Sequence, residues 1–177
     1  MKWTRSTLDQ VLEGPVGPSP LAGAELSADR VYRYALARRW SVGPYALFIC
    51  LNPSTADEQL DDPTVRRCIG FAKSWGGYGA VCIANLFAYR ATDPREMKVA
   101  VDPEGEENMA WLDALSERAG ITVAAWGAHG GFMDQGKRVA SRLRNPHALA
   151  LTKDGQPRHP LYLKKTLTPF EWPETAR

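Results

Sequence analysis

Short apolar runs, separated by polar and glycine-containing segments, dominate the chain from residue 30 onward. Residues 45–51, 80–84, 121–126 and 148–151 form such runs, and each run ends at a polar residue or a glycine. Runs of this length and composition are typical of strands buried on both faces of a parallel sheet. Residues 30–40 alternate well enough to predict a further strand that turns back at residues 41–44. We expect it to form an antiparallel edge pair with residues 45–51, near the N-terminus.

Segments with helical spacing lie between the predicted strands. After residue 62 the apolar positions recur three or four residues apart, at Val65, Cys68, Ile69, Ala72 and Trp75. Asp62 suits the N-cap of this helix and Pro63 its first turn. Residues 104–119 and the basic residues 136–144 predict two further helices. Strands that alternate with helices form right-handed βαβ units, so the pattern predicts a three-layer α/β/α sandwich with a mostly parallel central sheet.

The opening segment follows a different pattern. Residues 11–29 are rich in turn-forming residues, namely Gly14, Pro15, Gly17, Pro18, Pro20 and Gly23. Such a segment predicts irregular structure, so we expect residues 1–29 to form an irregular N-terminal extension. With 177 residues and 44% hydrophobic content, the chain suits one domain, residues 1–177, that buries its own core.

Three cysteines, Cys50, Cys68 and Cys82, lie among apolar neighbours and are predicted to be buried thiols. No cysteine or histidine pair has the spacing of a zinc site, and three cysteines cannot hold a four-cysteine iron–sulfur cluster. Residues 1–5 lack an apolar signal core, and no apolar run is long enough to span a membrane. We therefore expect a cytoplasmic, monomeric protein without membrane contact.

Polar residues stand where the predicted parallel strands end. Asn52 follows the run 45–51, Asn85 follows the run 80–84, and the run 148–151 leads to a Gly/Pro-rich loop that carries His159. The carboxyl ends of parallel strands share one edge of a sheet, where α/β proteins bind ligands, so these side chains predict one site. We interpret His129 and His147 as surface or capping residues. Turn formation is the structural alternative for Asn52.

Basic residues concentrate near the C-terminus, although the net charge of the chain is only +2. Residues 137–165 contain a single acid, Asp154, and a local charge excess of +7. The eight cations are Lys137, Arg138, Arg142, Arg144, Lys153, Arg158, Lys164 and Lys165. A basic face of this kind suits contact with phosphates, and a solvated helix surface is the alternative explanation.

Four blocks in this order resemble the uracil-DNA glycosylase superfamily: a strand ending in Asn52-Pro53, one ending in Asn85, one ending in Trp126-Gly127, and a late His159-Pro160 loop. Nearly the whole chain more closely resembles an uncharacterised domain-of-unknown-function family of bacteria and phages. That second similarity rests on residues 33–36, 51–57, 62–64, 85–87 and 159–162. The similarity to the superfamily implies a glycosylase-like fold.

The resemblance implies a DNA glycosylase that flips an altered base out of DNA and hydrolyses its N-glycosidic bond with water as the nucleophile. Asn52 matches the position that holds this water, and Asn85 the position that reads the base edge. His159 matches the hydrogen-bond donor to the oxygen that carries charge on the leaving base. An amide orients water but takes no proton from it, so we expect slower chemistry or a stronger dependence on the leaving group.

The same resemblance implies DNA contacts around the site. Leu161 or Leu163 would be the apolar wedge that replaces the flipped nucleotide, and Phe71 or Phe87 would stack on the base unless it belongs to the core. The side chains expected on phosphates are Lys153, Arg158, Lys164 and Lys165. No metal or other cofactor is implied.

Two departures from the superfamily pattern leave the target base open. The first motif lacks the Tyr that excludes thymine in uracil-restricted relatives. The last motif reads His159-Pro160-Leu161, where those relatives have His-Pro-Ser. The substrate can therefore be uracil or another altered base, including a hypermodified base of phage DNA.

Two other functional classes fit parts of the sequence. The carboxylates from Asp57 to Asp62 could hold magnesium for a nuclease or phosphohydrolase, unless Asp61 and Asp62 cap the following helix. A non-catalytic nucleic-acid reader would use the same pocket without cleaving. The chain has no glycine-rich phosphate loop of the Walker or dinucleotide type, so we expect no nucleotide cofactor.

Overall fold

The computed structural model describes residues 7–172; the expectations for residues 1–6 lie outside the described residues. Within that range the sheet has seven strands in the order β1-β2-β4-β3-β5-β6-β7. The strands are β1 (Leu21–Leu26), β2 (Arg33–Arg39), β3 (Tyr45–Cys50), β4 (Ala80–Asn85), β5 (Ile121–Ala124), β6 (His147–Ala148) and β7 (Phe170–Glu171). The helices are α1 (Thr7–Glu13), α2 (Pro63–Trp75), α3 (Pro94–Val99), α4 (Asn108–Arg118) and α5 (Gln135–Ala140), with 3₁₀ turns at Ala128–Asp134 and Pro160–Tyr162.

The centre of the sheet is parallel. β4, β3, β5 and β6 are neighbours that run in the same direction, whereas β2 is antiparallel to β4 and β7 is antiparallel to β6. The predicted α/β class with a mostly parallel central sheet is confirmed. All six residues of β3 and all six of β4 are buried, which agrees with strands covered on both faces.

The expected antiparallel pair of β2 and β3 is wrong. β4 lies between these strands, and β2 pairs instead with β4 and with β1, so the edge pair is β1 with β2. β3 is apolar on both faces, so the fold is more stable when β3 lies in the centre of the sheet, where helices cover both faces. The sequence pattern could not reveal the strand order, because the pairing partner of a strand depends on how distant segments pack and not on local periodicity.

The irregular extension expected at residues 1–29 is also wrong within the described residues. Residues 7–13 form α1 and residues 21–26 form β1. The prolines and glycines of residues 14–20 separate these elements and do not interrupt either. Leu8, Val11 and Leu12 recur at helical spacing, and all three are buried against the core. This burial stabilises a helix that is too short to form by propensity alone.

Helices cover both faces of the sheet. Leu47 and Ile49 of β3 face a core layer that includes residues of α1, α4 and α5. Phe48 and Cys50 point the other way, into a layer shared with α2. This alternation follows from the two-residue period of a strand, and it produces the expected layers. No helix within residues 7–172 is long and apolar enough to cross a membrane.

Helix α2 is the element that brings its N-terminus to the carboxyl edge of the sheet. Asp62 is its N-cap and accepts a hydrogen bond from the Val65 N–H at 2.9 Å, with Pro63 in the first turn, as predicted. The helix ends at Gly76, whose φ of 71° lies in the left-handed region. The other two predicted helices are shorter than expected. The helix predicted at residues 104–119 begins only at Asn108, and the helix predicted at residues 136–144 ends at Ala140.

Candidate functional site

A small cavity of about 40 Å³ lies at the carboxyl ends of β3 and β4. Asn52, Asn85 and His159 all line it, although they come from three segments far apart in the sequence. The last residues of the two strands, Cys50 and Asn85, are direct partners in the parallel ladder, which places Asn52 just beyond them. The structure therefore brings together the three residues that the sequence analysis assigned to one site.

The Asn52 side chain is held in one orientation. Its Nδ2 donates to the Ala91 carbonyl oxygen at 2.8 Å and to the Pro53 carbonyl oxygen at 3.2 Å. Two carbonyl acceptors identify the nitrogen side of the amide. Within residues 7–172 no hydrogen bond to Oδ1 is formed, so Oδ1 is the acceptor that Asn52 can offer to a water in the cavity.

Asn85 is buried, with 1% of its surface exposed. Its Oδ1 accepts a long hydrogen bond of 3.4 Å from Nη2 of Arg33, which leaves Nδ2 as a donor without a partner among the described residues. The buried Asn108 donates through Nδ2 to the carbonyl oxygens of Asn85 and Leu86, both at 3.0 Å. These bonds hold the strand end in place while the Asn85 side chain stays available to a ligand.

His159 reaches the cavity because its loop packs against the end of β5. The Gly127 N–H donates to the Pro157 carbonyl oxygen at 2.7 Å, and Trp126 Nε1 donates to Gln156 Oε1 at 2.9 Å. Gly127 has a φ of 75°, and a Cβ there would lie 3.5 Å from the His159 Cβ. His159 Nδ1 accepts from the Leu161 N–H at 3.3 Å. The neutral ring therefore carries its proton on Nε2, as a hydrogen-bond donor must.

Cys50 and His159 influence each other's ionisation. Burial by itself lowers the pKa of His159, but the hydrogen bond with Cys50 and the charges of Cys50 and Asp62 outweigh burial and raise it. The hydrogen bond with Cys68 lowers the pKa of the Cys50 thiol, and His159 and Arg33 add to this effect against burial. All three cysteines are buried and free, as predicted.

Replacing Cys50 with alanine should lower the pKa of His159, because burial then acts without the opposing thiol. A raised pKa makes His159 stabilise the fold at pH values below its unfolded pKa, and this contribution is lost as the pH rises through the folded pKa. Cys50→Ala should reduce that contribution, while the charge of Asp62 continues to raise the pKa of His159. NMR titration of the His159 ring protons measures its pKa in the wild-type protein and in the variant. An unchanged His159 titration in the variant would disprove the coupling.

Arg33 is a cavity residue that the sequence analysis did not assign to the site. Its guanidinium is buried, with 2% of the residue exposed, and Nη1 donates to the Ala56 carbonyl oxygen at 2.9 Å. Burial lowers the pKa of Arg33 to about 10, which leaves it protonated at neutral pH. The sequence feature that could have identified Arg33 is its position as a charged residue directly before the apolar run Tyr34-Ala35-Leu36-Ala37.

The carboxylates proposed as magnesium ligands point to separate structural partners. Asp57 Oδ1 accepts from the backbone N–H groups of Gln59 and Leu60, and Asp62 caps α2. Glu58 pairs with Arg30, and Asp61 pairs with Arg38 rather than capping the helix. Within residues 7–172 no group of three or more His, Cys, Asp or Glu residues could hold a metal ion. The geometry therefore does not favour the magnesium alternative.

Arg38 anchors the loop that follows Asn52. It donates to Asp61 Oδ1 at 2.8 Å and to the Asp57 and Leu60 carbonyl oxygens at 2.7 and 3.3 Å. Arg38→Met should lower the free energy of unfolding by about 1–3 kcal/mol, since it leaves the partly buried Asp61 carboxylate and two backbone carbonyl oxygens without their donor. Denaturant unfolding measures this change. The control Arg95→Met removes an exposed ion pair with Asp93 and should change the free energy of unfolding far less. Equal losses would contradict the anchoring role.

The proposed stacking and wedge residues need correction. Phe71 and Phe87 are 2% and 0% exposed, and neither lines the cavity. Phe87 packs on Phe132 in one core layer, and Phe71 lies in the core layer on the other side of the sheet. Both side chains therefore contribute to the hydrophobic core. Leu163 is also a core residue, at 5% exposed. Among these loop residues Leu161 is partly exposed, and Tyr162 is 84% exposed.

The eight basic residues near the C-terminus differ in their partners. Arg138 and Arg142 form ion pairs with Glu104 and Asp113. The side chains expected on phosphates, Lys153, Arg158, Lys164 and Lys165, are all exposed. Lys165 also lines a surface groove of about 250 Å³ together with Arg66, Arg67, Gly70, Phe71 and Ser74. We call these six residues the basic groove.

The basic groove adjoins the loop that carries His159. Arg67 Nε donates to the Pro160 carbonyl oxygen at 3.4 Å, and its guanidinium lies 5.1 Å from the centre of the Phe71 ring. Arg66 and Arg67 belong to α2, and their positions follow Thr64 and Val65, which line the cavity. One helix therefore connects the cavity and the groove, and none of the acidic residues between 7 and 172 lines the groove.

The fold and the site define an α/β protein with a polar cavity at the carboxyl edge of its parallel strands. The chain belongs to the family described as "Protein of unknown function (DUF1643)", whose model matches residues 33–161. This confirms the resemblance to an uncharacterised family. The matched range contains β2 with Arg33, both asparagines and His159. No curated protein and no solved structure matches the chain.

Proposed function

We propose that the protein is a DNA glycosylase that removes uracil or another altered base by hydrolysis of the N-glycosidic bond. The observation that carries the proposal is the convergence of Asn52, Asn85 and His159 on one cavity. Each of the three side chains also has a fixed orientation that suits its implied role. The resemblance to the uracil-DNA glycosylase superfamily supplies these roles, and the contacts of each residue support them.

In this proposal Asn52 Oδ1 accepts a hydrogen bond from the attacking water, while Nδ2 stays bound to the backbone of Ala91 and Pro53. Asn85 offers Nδ2 to a carbonyl oxygen of the base, and its Oδ1 can accept from a ring N–H. His159 donates from Nε2 to the oxygen on which negative charge develops. Asn52 orients the water without taking its proton, so a base that leaves readily favours the reaction.

The DNA backbone would lie along the basic groove and the loop after His159. Arg66, Arg67 and Lys165 face phosphates in this arrangement, and the cations at 153, 158 and 164 extend the same contact. Leu161 or the exposed Tyr162 takes the place of the flipped nucleotide, because Leu163 belongs to the core. In this proposal the expected basic contact surface is the basic groove together with the loop after His159.

A base needs more room than the cavity now offers. A volume of about 40 Å³ holds only a few waters, since one water requires roughly 10–15 Å³ of the same kind of volume. The partly exposed Ser54 and His159 lie at its border, on the loop after β3 and on the loop before Pro160. The proposal therefore requires one of these loops to move outward when the base enters.

A base-release assay tests the proposal. Oligonucleotides that carry uracil and a panel of other altered bases, single- and double-stranded, are incubated with the protein and then treated with alkali to cleave abasic sites. We expect strand cleavage for at least one base and retention of that activity in EDTA. Loss of activity in EDTA with recovery in magnesium would favour the metal-dependent nuclease. DNA binding without release of any base would favour the non-catalytic reader.

Neutralising the basic groove should weaken DNA binding and reduce its salt dependence. Each phosphate contact contributes about 0.9 to the slope of log K against log salt concentration, so Arg66→Gln with Lys165→Gln should lower the slope by about 1–2. Fluorescence anisotropy at several salt concentrations measures it. The control pair Lys137→Gln with Arg144→Gln removes two exposed cations outside the groove. Equal slopes for the two double variants would remove the groove from the interface.

A further inference from the structure

Arg33 has more hydrogen-bond donors than the protein satisfies. A guanidinium has five N–H donors, and only Ala56 O at 2.9 Å and Asn85 Oδ1 at 3.4 Å accept from Arg33 within the described residues. Its Nε is buried without a partner. Arg33 also forms no ion pair with any carboxylate of residues 7–172. Buried charges are ordinarily paired, so the protein by itself leaves this cation poorly compensated.

The surroundings of Arg33 offer limited compensation. Asp62 and the Cys50 thiol favour its charged form from a distance, whereas the like charges of Arg38 and Arg90 oppose it. Asp62 is also engaged as the N-cap of α2. A guanidinium left in this state costs stability, and a ligand that accepts from it recovers that cost on binding.

Other donors line the same cavity. Asn85 Nδ2 has no partner among the described residues, and His159 carries a donor on Nε2 when its ring is neutral. Thr64 lies in the first turn of α2, where the helix dipole favours negative charge. Against these donors the walls offer the Asn52 Oδ1 and the Asp62 carboxylate as acceptors. The cavity therefore suits a ligand that is rich in acceptor atoms.

We propose that Arg33 forms an anion subsite in this cavity and that its occupant is a planar, delocalised anion with two acceptor atoms in one plane. A guanidinium binds such an anion through two parallel N–H bonds. The assignment of this anion to the conjugate base of an oxo-pyrimidine rests on the proposed function. The anion subsite itself stands on the unsatisfied donors of Arg33 together with its position in the wall of the cavity, which the other arginines with a buried, unpartnered Nε do not share.

In the glycosylase reaction this subsite would hold the departing base. The bond between the sugar C1′ and the ring nitrogen breaks, and its electron pair stays on the base as a delocalised anion. The water oxygen forms the new bond to C1′, and the proton that the water loses passes to the released base or to solvent. Arg33 then contacts the species on which the negative charge collects.

Binding of nitrate, a planar and singly charged anion small enough for the cavity, tests the subsite directly. Chloride is replaced by nitrate at constant ionic strength, and the Arg33 Nε–Hε and Asn85 side-chain amide signals are followed by NMR. We expect saturable shifts of both signals in the wild-type protein. Their absence in the wild-type protein would overturn the proposal, whether or not any variant folds.

Variants of Arg33 test the dependence on its guanidinium. Arg33→Gln should weaken nitrate binding at least about tenfold, and Arg33→Lys, which keeps the charge without the planar fork, should weaken it less. Arg39→Gln is the matched control, since Arg39 is also a buried arginine of β2 with an Nε that has no partner, but it does not line the cavity. Equal affinities of wild type and Arg33→Gln would overturn the proposal. Equal weakening by Arg39→Gln would also overturn it.

A second titration identifies the occupant. 5-Nitrouracil at a pH where it is an anion is compared with uracil, which is neutral at that pH. The oxo-pyrimidine assignment is supported if the protein prefers the 5-nitrouracil anion to uracil and if Arg33→Gln abolishes this preference. Binding of nitrate but not of the 5-nitrouracil anion restricts the subsite to small oxyanions and overturns the assignment. A protein that binds nitrate through Arg33 but releases no base disproves the proposed function alone. Base release without nitrate binding disproves the anion subsite alone.

Discussion

Asn52→Ala should reduce the rate of base release at least about tenfold while leaving DNA affinity nearly unchanged. Under the proposed function the variant loses the Oδ1 acceptor for the attacking water, an interaction that strengthens in the transition state. Single-turnover kinetics on the best substrate of the panel separate the chemical step from binding. Thermal unfolding of the variant shows how much stability the two backbone hydrogen bonds of Nδ2 contribute. An unchanged single-turnover rate would disprove the role of Asn52.

For Asn52→Asp, the contacts of the side chain and the basicity of a carboxylate predict opposite effects. A carboxylate is a better general base than an amide, and the superfamily that the chain resembles has Asp or Asn at the matching position, so chemistry alone predicts faster base release under the proposed function. Here the Asn52 Nδ2 faces the carbonyl oxygens of Ala91 and Pro53, and a carboxylate oxygen in its place would be repelled. We therefore expect Asn52→Asp to be less stable and no faster than wild type. A faster and equally stable variant would contradict the orientation of Asn52.

His159→Ala should also reduce base release at least about tenfold, on the scale reported for removal of one oxyanion donor. The loss should be larger for bases that leave poorly, because their transition states collect more negative charge on the base. Rates for two substrates whose departing bases differ in acidity measure this dependence. The result also bears on the raised pKa of His159, since the variant should lose the titration of that group from the pH profile of the rate.

The control for His159 is His129→Ala. His129 is exposed, contacts Lys98 and lies outside the cavity, so its replacement should leave the rate unchanged. His159→Gln retains a donor and should recover part of the rate if donation is the role of the imidazole. Equal rates for wild type and His159→Ala on both substrates would remove His159 from the reaction.

The central layers of the fold could be predicted because their signal is local. The runs that became β3, β4 and β5 are apolar on both faces, and the run that became α2 repeats at helical spacing between Asp62 and Gly76. Elements at the edges were harder. Residues 7–13 and 21–26 owe their structure to burial of one side against the sheet, and the glycines and prolines between them concealed both elements.

The site shows the same division. Asn52, Asn85 and His159 could be assigned because polar residues at the ends of parallel strands share one edge of the sheet. Phe71, Phe87 and Leu163 could not be placed correctly from sequence, because an aromatic or aliphatic residue near a strand end looks the same whether it faces a ligand or the core. Arg33 was missed for a related reason. Its strand was expected to pair with β3, and only pairing with β4 brings Arg33 to Asn85.

The sequence by itself determined the class of fold, the family and the three polar residues of the site, since these follow from local periodicity and from the order of motifs along the chain. The tertiary structure alone decided the strand order, the burial of each aromatic residue and the direction in which each amide points. These depend on contacts between segments far apart in the chain, such as Arg33 with Ala56 and Asn85, or Asn52 with Ala91. Local pattern carries no record of such contacts, because they form only when the layers pack.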